Sequence, residues 1–143
     1  DSVASRGLGD VYKRQIQYGD GDHLKSADIA KTLIAAHPDL KGIYGTNEGS
    51  AIGVVNAVNE LGLEKGKITI VGFDSGAAQI NAIKDGTMAG AITQDPIGIG
   101  EQVVQAAYDA ANGDSVDEFY DTGSYWYDST NLEDEDIAAV LYE

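Results

Sequence analysis

The sequence predicts an α/β fold, a parallel sheet with flanking helices, and two observations carry that prediction. Three apolar runs each end on a polar side chain with a helical pattern close behind. They are Gly42-Ile43-Tyr44-Gly45-Thr46 before Asn47, Ile68-Thr69-Ile70-Val71-Gly72-Phe73 before Asp74, and Met88-Ala89-Gly90-Ala91-Ile92-Thr93 before Gln94. Continuous apolar strands are covered on both faces, and their alternation with helices gives parallel pairing. The second observation is size: 143 residues make a single domain with a core of ordinary volume.

Each element has its own signal. Residues 1–14 (DSVASRGLGDVYKR) show no periodicity and crowd Arg6, Lys13 and Arg14 into an otherwise acidic chain. They have no apolar stretch of the signal-peptide kind and read as an artefactual leader unrelated to the fold. Gln15 to Tyr18 reads as a short strand, and Gly19-Asp20-Gly21-Asp22 as a turn. A helix then places Leu24, Ala27, Ala30, Leu33 and Ile34 on one stripe, with Pro38 just beyond it.

After the run ending at Asn47, a helix from about Glu48 to Leu61 turns Ile52, Val55, Val58 and Leu61 inward and stops at Gly62. Behind Asp74 a short helix carries Ala77, Ile80 and Ile83 up to Gly86. Behind Gln94, Asp95 is the cap and Pro96 the first residue of a helix bearing Ile99, Val103, Ala106 and Ala110, which ends at Gly113. The tail offers a strand over Glu118–Gly123, an aromatic stretch at Tyr125-Trp126-Tyr127, and a short helix or extended cap over 137–142.

Composition excludes several function classes. The formal charge is −15, from 24 acidic and 9 basic residues, a field that repels nucleic acid and anionic membrane. Without cysteine there is no disulfide, thiolate nucleophile or zinc–thiolate site. No apolar stretch approaches the roughly 20 residues of a membrane helix, so direct membrane insertion is not expected. No nucleotide-binding glycine pattern follows a strand, and no cofactor is implied.

Ligands of parallel sheets bind beyond the carboxyl ends of the strands, where Asn47, Asp74 and Gln94 stand. Two amides and a carboxylate read hydroxyls; none is a nucleophile. Asn47 either caps the next helix or offers an acceptor and two donors to a hydroxylated ligand. Asp74 either caps the helix starting near Gly76 or accepts from vicinal hydroxyls, at roughly 1.5–3 kcal/mol per charged hydrogen bond. Gln94 has no capping duty, because Asp95 performs it. Trp126 and its neighbours Tyr125 and Tyr127 either stack on a sugar face or fill core. Asp20 and Asp22 lack the further ligands of a calcium loop and read as a solvated turn with Asp22 as helix cap, and His23 and His37 share no metal-ligand spacing, so no metal site is expected.

The motifs AHPDLKGIYGTNEGSAIG, ITIVGFDSG and GAITQDPIGIG, in this order and spacing, resemble the ribose-type periplasmic sugar-binding proteins of ABC transporters. The resemblance runs from about Gln15 to the end and covers about half of the family's length. It implies a partial type 1 periplasmic-binding-protein fold: one lobe plus crossover elements of a missing lobe. On that pattern residues 15–94 are part of the carboxy-terminal lobe, 95–123 return to the missing amino-terminal lobe, and 124–143 form a crossover and tail. Asn47, Asp74 and Gln94 match the family's sugar contacts.

The implied protein captures a monosaccharide outside the cytoplasm, in the periplasm or lipid-anchored at the cell surface, and delivers it to a membrane permease. The present chain would be a truncated piece without full binding competence. The alternative is the sugar-sensing core of a lac-repressor-type transcription regulator, which would carry a basic helix-turn-helix upstream. An enzyme is not expected, because no Ser-His-Asp, Cys-His or paired-carboxylate arrangement stands out.

Overall fold

The computed structural model describes residues 16–142, so the expected leader and Gln15 lie outside the described residues. Its elements follow the order α1 (His23–Ala36), β1 (Gly42–Tyr44), α2 (Glu48–Glu60), β2 (Thr69–Phe73), α3 (Ala77–Lys84), β3 (Gly90–Gln94), α4 (Pro96–Asn112), β4 (Ser124–Asp128) and α5 (Glu135–Ala138). The sheet has the order β1-β2-β3-β4. β1, β2 and β3 run parallel, and β4 returns antiparallel against β3, with Ala91 opposite Tyr127 and Gln94 opposite Ser124.

Local chemistry explains where the helices begin and stop. Asp22 accepts the Lys25 N–H at 2.8 Å and caps α1. Asp95 accepts from Ile97 and Gly98 at 3.1 and 2.9 Å and caps α4, with Pro96 at its first turn. Gly62, Gly86 and Gly113 follow α2, α3 and α4 with φ of 61°, 80° and 83°, the left-handed geometry that glycine adopts without strain.

The core lies between the sheet and α2 and α3. It includes Ala51, Val54, Ala57, Val58, Ile70, Ile80, Ile83, Met88, Ala91 and Tyr127. Small residues let α1 approach α2: Ser26, Ala27 and Ala30 are buried, and Gly53 of α2 lies against Ser26, His23 and Ala27.

The structure departs from the sequence reading at several places. The expected strand Gln15–Tyr18 starts outside the described residues, and its described part, 16–18, is not a strand: Ile16 and Tyr18 are exposed and pair with no strand among the described residues. Leu24 faces solvent, because α1 meets α2 through its smaller residues. On α2, Ala51, Val54 and Ala57 join Val58 in the core, while Ile52 and Val55 are half-buried and Leu61 is exposed. This helix is covered on two sides, so a single stripe does not describe it. On α3, Ala77 is exposed while Ile80 and Ile83 are buried. Glu118–Gly123 is not a strand; pairing resumes only at Ser124, and Phe119 stands 80% exposed. No residue of α4 is buried, and its Ile97, Val103, Val104 and Tyr108 are exposed.

Two turn carboxylates make stability fall in acid. Thr87 donates its hydroxyl and N–H to Asp85, with Lys65 alongside, and holds that carboxyl below its ordinary value. Thr130 and Trp126 do the same to Asp128. A depressed folded pKa contributes stability above the unfolded value of 3.8, lost as pH falls through the folded value. Melting temperature against pH should therefore drop below about pH 4, and Asp85→Asn should flatten that acid limb. An unchanged limb in the variant would show that Asp85 titrates alike in both states.

Candidate functional site

The carboxyl ends of β1, β2 and β3 lie side by side. Tyr44 pairs with Val71 and Phe73 with Ile92, so the chain positions that follow, Asn47, Asp74 and Gln94, stand at one end of three neighbouring strands. At the normal strand spacing they span about 10 Å.

Asn47 caps α2: its Oδ1 accepts the Ser50 N–H at 2.8 Å. The two amide donors of its Nδ2 take no part in that cap. Asp74 does not cap the helix behind it. That cap is Gly76, which makes no side-chain bond. Instead Asp74 Oδ2 accepts the Glu48 N–H at 3.1 Å and reaches the first turn of α2, next to Asn47. The two residues are thereby joined at one helix N-terminus, where a negative charge is favoured.

Asp74 also has φ 73°, a left-handed conformation that a non-glycine residue holds at a cost of about 1–2 kcal/mol. Several bonds hold it there. Its N–H donates to Ile92 O at 2.8 Å, the fully buried Gln79 donates Nε2 to Phe73 O at 2.9 Å, and Tyr127 donates its hydroxyl to Asp74 O at 2.7 Å. Below the turn, buried Thr93 donates to Ser75 Oγ at 2.9 Å. Each such bond contributes about 0.5–1.5 kcal/mol, so one or two of them offset the strain.

Gln94 ends β3 and its residue is exposed, while Asp95 takes the capping role. Trp126 is not brought to the other three. Its ring lies over Gly90 at the opposite end of β3, four residues or about 13 Å from Gln94, and its indole N–H donates to Asp128 at 2.8 Å.

The sequence reading missed Glu48 and Tyr142, and it named Tyr127 only as a neighbour of Trp126 that stacks on a sugar or fills core. The Glu48 carboxylate lies against Gly76, over the start of α3. The Tyr127 phenol is pushed far above its ordinary value, first by burial and then by Tyr142, Asp74 and Glu48, so it remains a hydrogen-bond donor. Tyr142 is also raised, mainly by burial, with Asp74 and Glu48 adding to it and Ser75 opposing. The only available signal for these contacts was the clustering of tyrosines in the tail. Among the described residues no group of three or more His, Asp or Glu side chains could hold a metal ion, and no helix is long and apolar enough to cross a membrane.

A family described as "Periplasmic binding protein domain" matches residues 6–115, a match that starts inside segment 1–14. The chain belongs to this periplasmic binding protein family. It is 33% identical over 104 residues to the ribose import binding protein RbsB of Salmonella typhimurium, covering 73% of this chain and 34% of that protein. A solute-binding protein of an ABC transporter from Agrobacterium vitis, solved with α-D-tagatopyranose, superposes with a TM-score of 0.86 at 32% identity. That match covers 91% of this chain and 43% of the other.

A structure from Brachyspira murdochii described as "ABC transporter, LacI family transcriptional regulator" superposes with a TM-score of 0.72 at 37% identity, covering 86% and 41%. The chain thus spans about a third of the length of the curated relatives and about two fifths of the solved structures. The fold is that of the type 1 periplasmic binding proteins, and the resemblance read from the three motifs holds.

Proposed function

We propose that this chain supplies one sugar-gripping face of an extracytoplasmic solute-binding protein that passes a monosaccharide to the permease of an ABC importer. The observation that carries this reading is the alignment of Asn47, Asp74 and Gln94 at one end of three adjacent parallel strands. In this reading the free amide donors of Asn47, the charged acceptor of Asp74 and the amide of Gln94 replace the water around sugar hydroxyls. Binding is the whole task; no chemical step is assigned and no cofactor is needed.

The face opposite this one on the sugar would come from a second lobe. The exposed Val103, Val104 and Tyr108 of α4, with Phe119 beyond it, support that view, since they form apolar surface that no other described residue covers. Residues 95–123 are accordingly assigned to that lobe and 124–143 to the return crossover. Alone, the chain is expected to bind sugar weakly. A lac-repressor-type sensor is the second reading, favoured by the description of the Brachyspira murdochii structure. The charge of −15 favours transport.

The test is a thermal-shift panel of monosaccharides and polyols on this chain joined to the amino-terminal lobe of a ribose-type relative. One or two sugars should raise the melting temperature, because a ligand at 100 times its Kd adds about 2.7 kcal/mol to stability. No shift for any sugar, in a protein that melts cooperatively, would leave Asn47 and Asp74 with their contacts to the start of α2 alone and overturn the reading.

A further inference from the structure

We infer that Tyr127 is a positioning residue for Asp74, holding from beneath the sheet the backbone turn that aims the sugar-binding carboxylate. The inference rests on the sugar-binding reading of Asp74 and adds to it a residue on β4, 53 positions along the chain.

The geometry of Asp74 is set by the two peptide planes that flank it. The plane before it is fixed at both ends: the Asp74 N–H donates to Ile92 O at 2.8 Å, and Phe73 O accepts from Gln79 Nε2 at 2.9 Å. The plane after it carries Asp74 C=O and Ser75 N–H. Its carbonyl accepts from the Tyr127 hydroxyl at 2.7 Å, and Ser75 faces the phenol oxygen of Tyr142. With the first plane fixed, relaxing φ from 73° turns the residue about its N–Cα bond and swings its carbonyl and its Cβ together, and the Tyr127 hydrogen bond to that carbonyl opposes the swing.

Tyr127 is suited to that duty. It is 0% exposed and its ring belongs to the core, so the hydroxyl is delivered by a rigid strand. Its backbone position is pinned by pairing with Ala91 of β3. If φ relaxed in this way, the Asp74 side chain would lose its contact with Glu48 N–H, and the carboxylate would leave the edge it shares with Asn47.

Tyr127→Phe removes one oxygen and keeps the ring in place. In the sugar-free 143-residue chain, amide hydrogen exchange read by NMR should speed up about tenfold at Asp74 and Ser75, with little change in the rest of the core. In the Asp74→Gly background, where positive φ is unstrained, the same change should have little local effect. In the chain joined to an amino-terminal lobe, Tyr127→Phe should weaken sugar binding about five- to tenfold alone and less than twofold when Asp74 is already alanine.

Unchanged exchange at Asp74 and Ser75 in Tyr127→Phe would overturn the inference whatever the sugar data. So would an equal loss of affinity with and without the Asp74 carboxylate. A disturbed turn together with an affinity indifferent to Asp74→Ala would overturn the sugar role of Asp74, and with it the functional half of this assignment, while the dependence of the turn on Tyr127 stood.

Discussion

Replacing Asp74 by alanine is expected to weaken monosaccharide binding about 10- to 100-fold, the equivalent of about 1–3 kcal/mol. The loss follows from removing a charged acceptor and leaving sugar hydroxyls unpaired. Alanine alone is an ambiguous probe here, because Asp74 also holds φ 73° and accepts the Glu48 N–H. Alanine tolerates that backbone no better than aspartate, and it abandons the bond to α2. It should therefore also destabilise the fold by about 1 kcal/mol.

Asp74→Gly separates the two effects. Glycine relieves about 1–2 kcal/mol of backbone strain and forfeits a similar amount of helix capping, so stability should change by no more than about 1 kcal/mol. Affinity should still fall as far as in alanine. Isothermal titration beside urea denaturation would measure both. An Asp74→Gly protein that bound sugar as the parent does would exclude the carboxylate as a ligand.

Gly53→Val is expected to cost about 3 kcal/mol or more of folding stability, although glycine inside a helix is ordinarily a weakness. A Cβ at Gly53 would stand 2.5 Å from Ser26 Cβ, 2.7 Å from His23 O and 2.9 Å from Ala27 N. Two of these are backbone atoms of α1, which can give way only if the whole helix moves off α2. Val adds two further carbons to that collision.

Gly100 provides the opposite sign. It lies in α4, has an ordinary helical φ, and an added Cβ there would meet nothing within 4 Å. Gly100→Ala should stabilise by about 0.5–1 kcal/mol through helix propensity alone. Urea melts of the two variants, compared at constant m value, would check both. A neutral Gly53→Val would mean that α1 docks less closely than the structure has it.

Caps and stops were the most legible features in the sequence. Asp22, Asp95 with Pro96, Gly62 and Gly113 work through groups within a few residues of themselves, so local chemistry decides them. The three runs closing on Asn47, Asp74 and Gln94 were legible for a similar reason, since side-chain type along a strand reports on its cover. The inward face of α2 was not legible. Ala51 and Gly53 are buried because α1 and the sheet approach from different sides, and no periodicity along one helix encodes its neighbours. Glu118–Gly123 has strand-like residues and no strand beside it among the described residues, and propensity cannot supply a partner.

For the site the division is sharper. Residue type and spacing made the candidate set legible, because two amides and a carboxylate that each close an apolar run are hydroxyl-binding groups placed at strand ends. Only the tertiary structure decided how Asp74 is held. Its carboxylate turns to the first N–H of α2, 26 residues earlier, and its carbonyl to a phenol 53 residues later. A hydrogen bond acts over about 3 Å whatever length of chain separates its ends, so its partners emerge only once the sheet has brought them together.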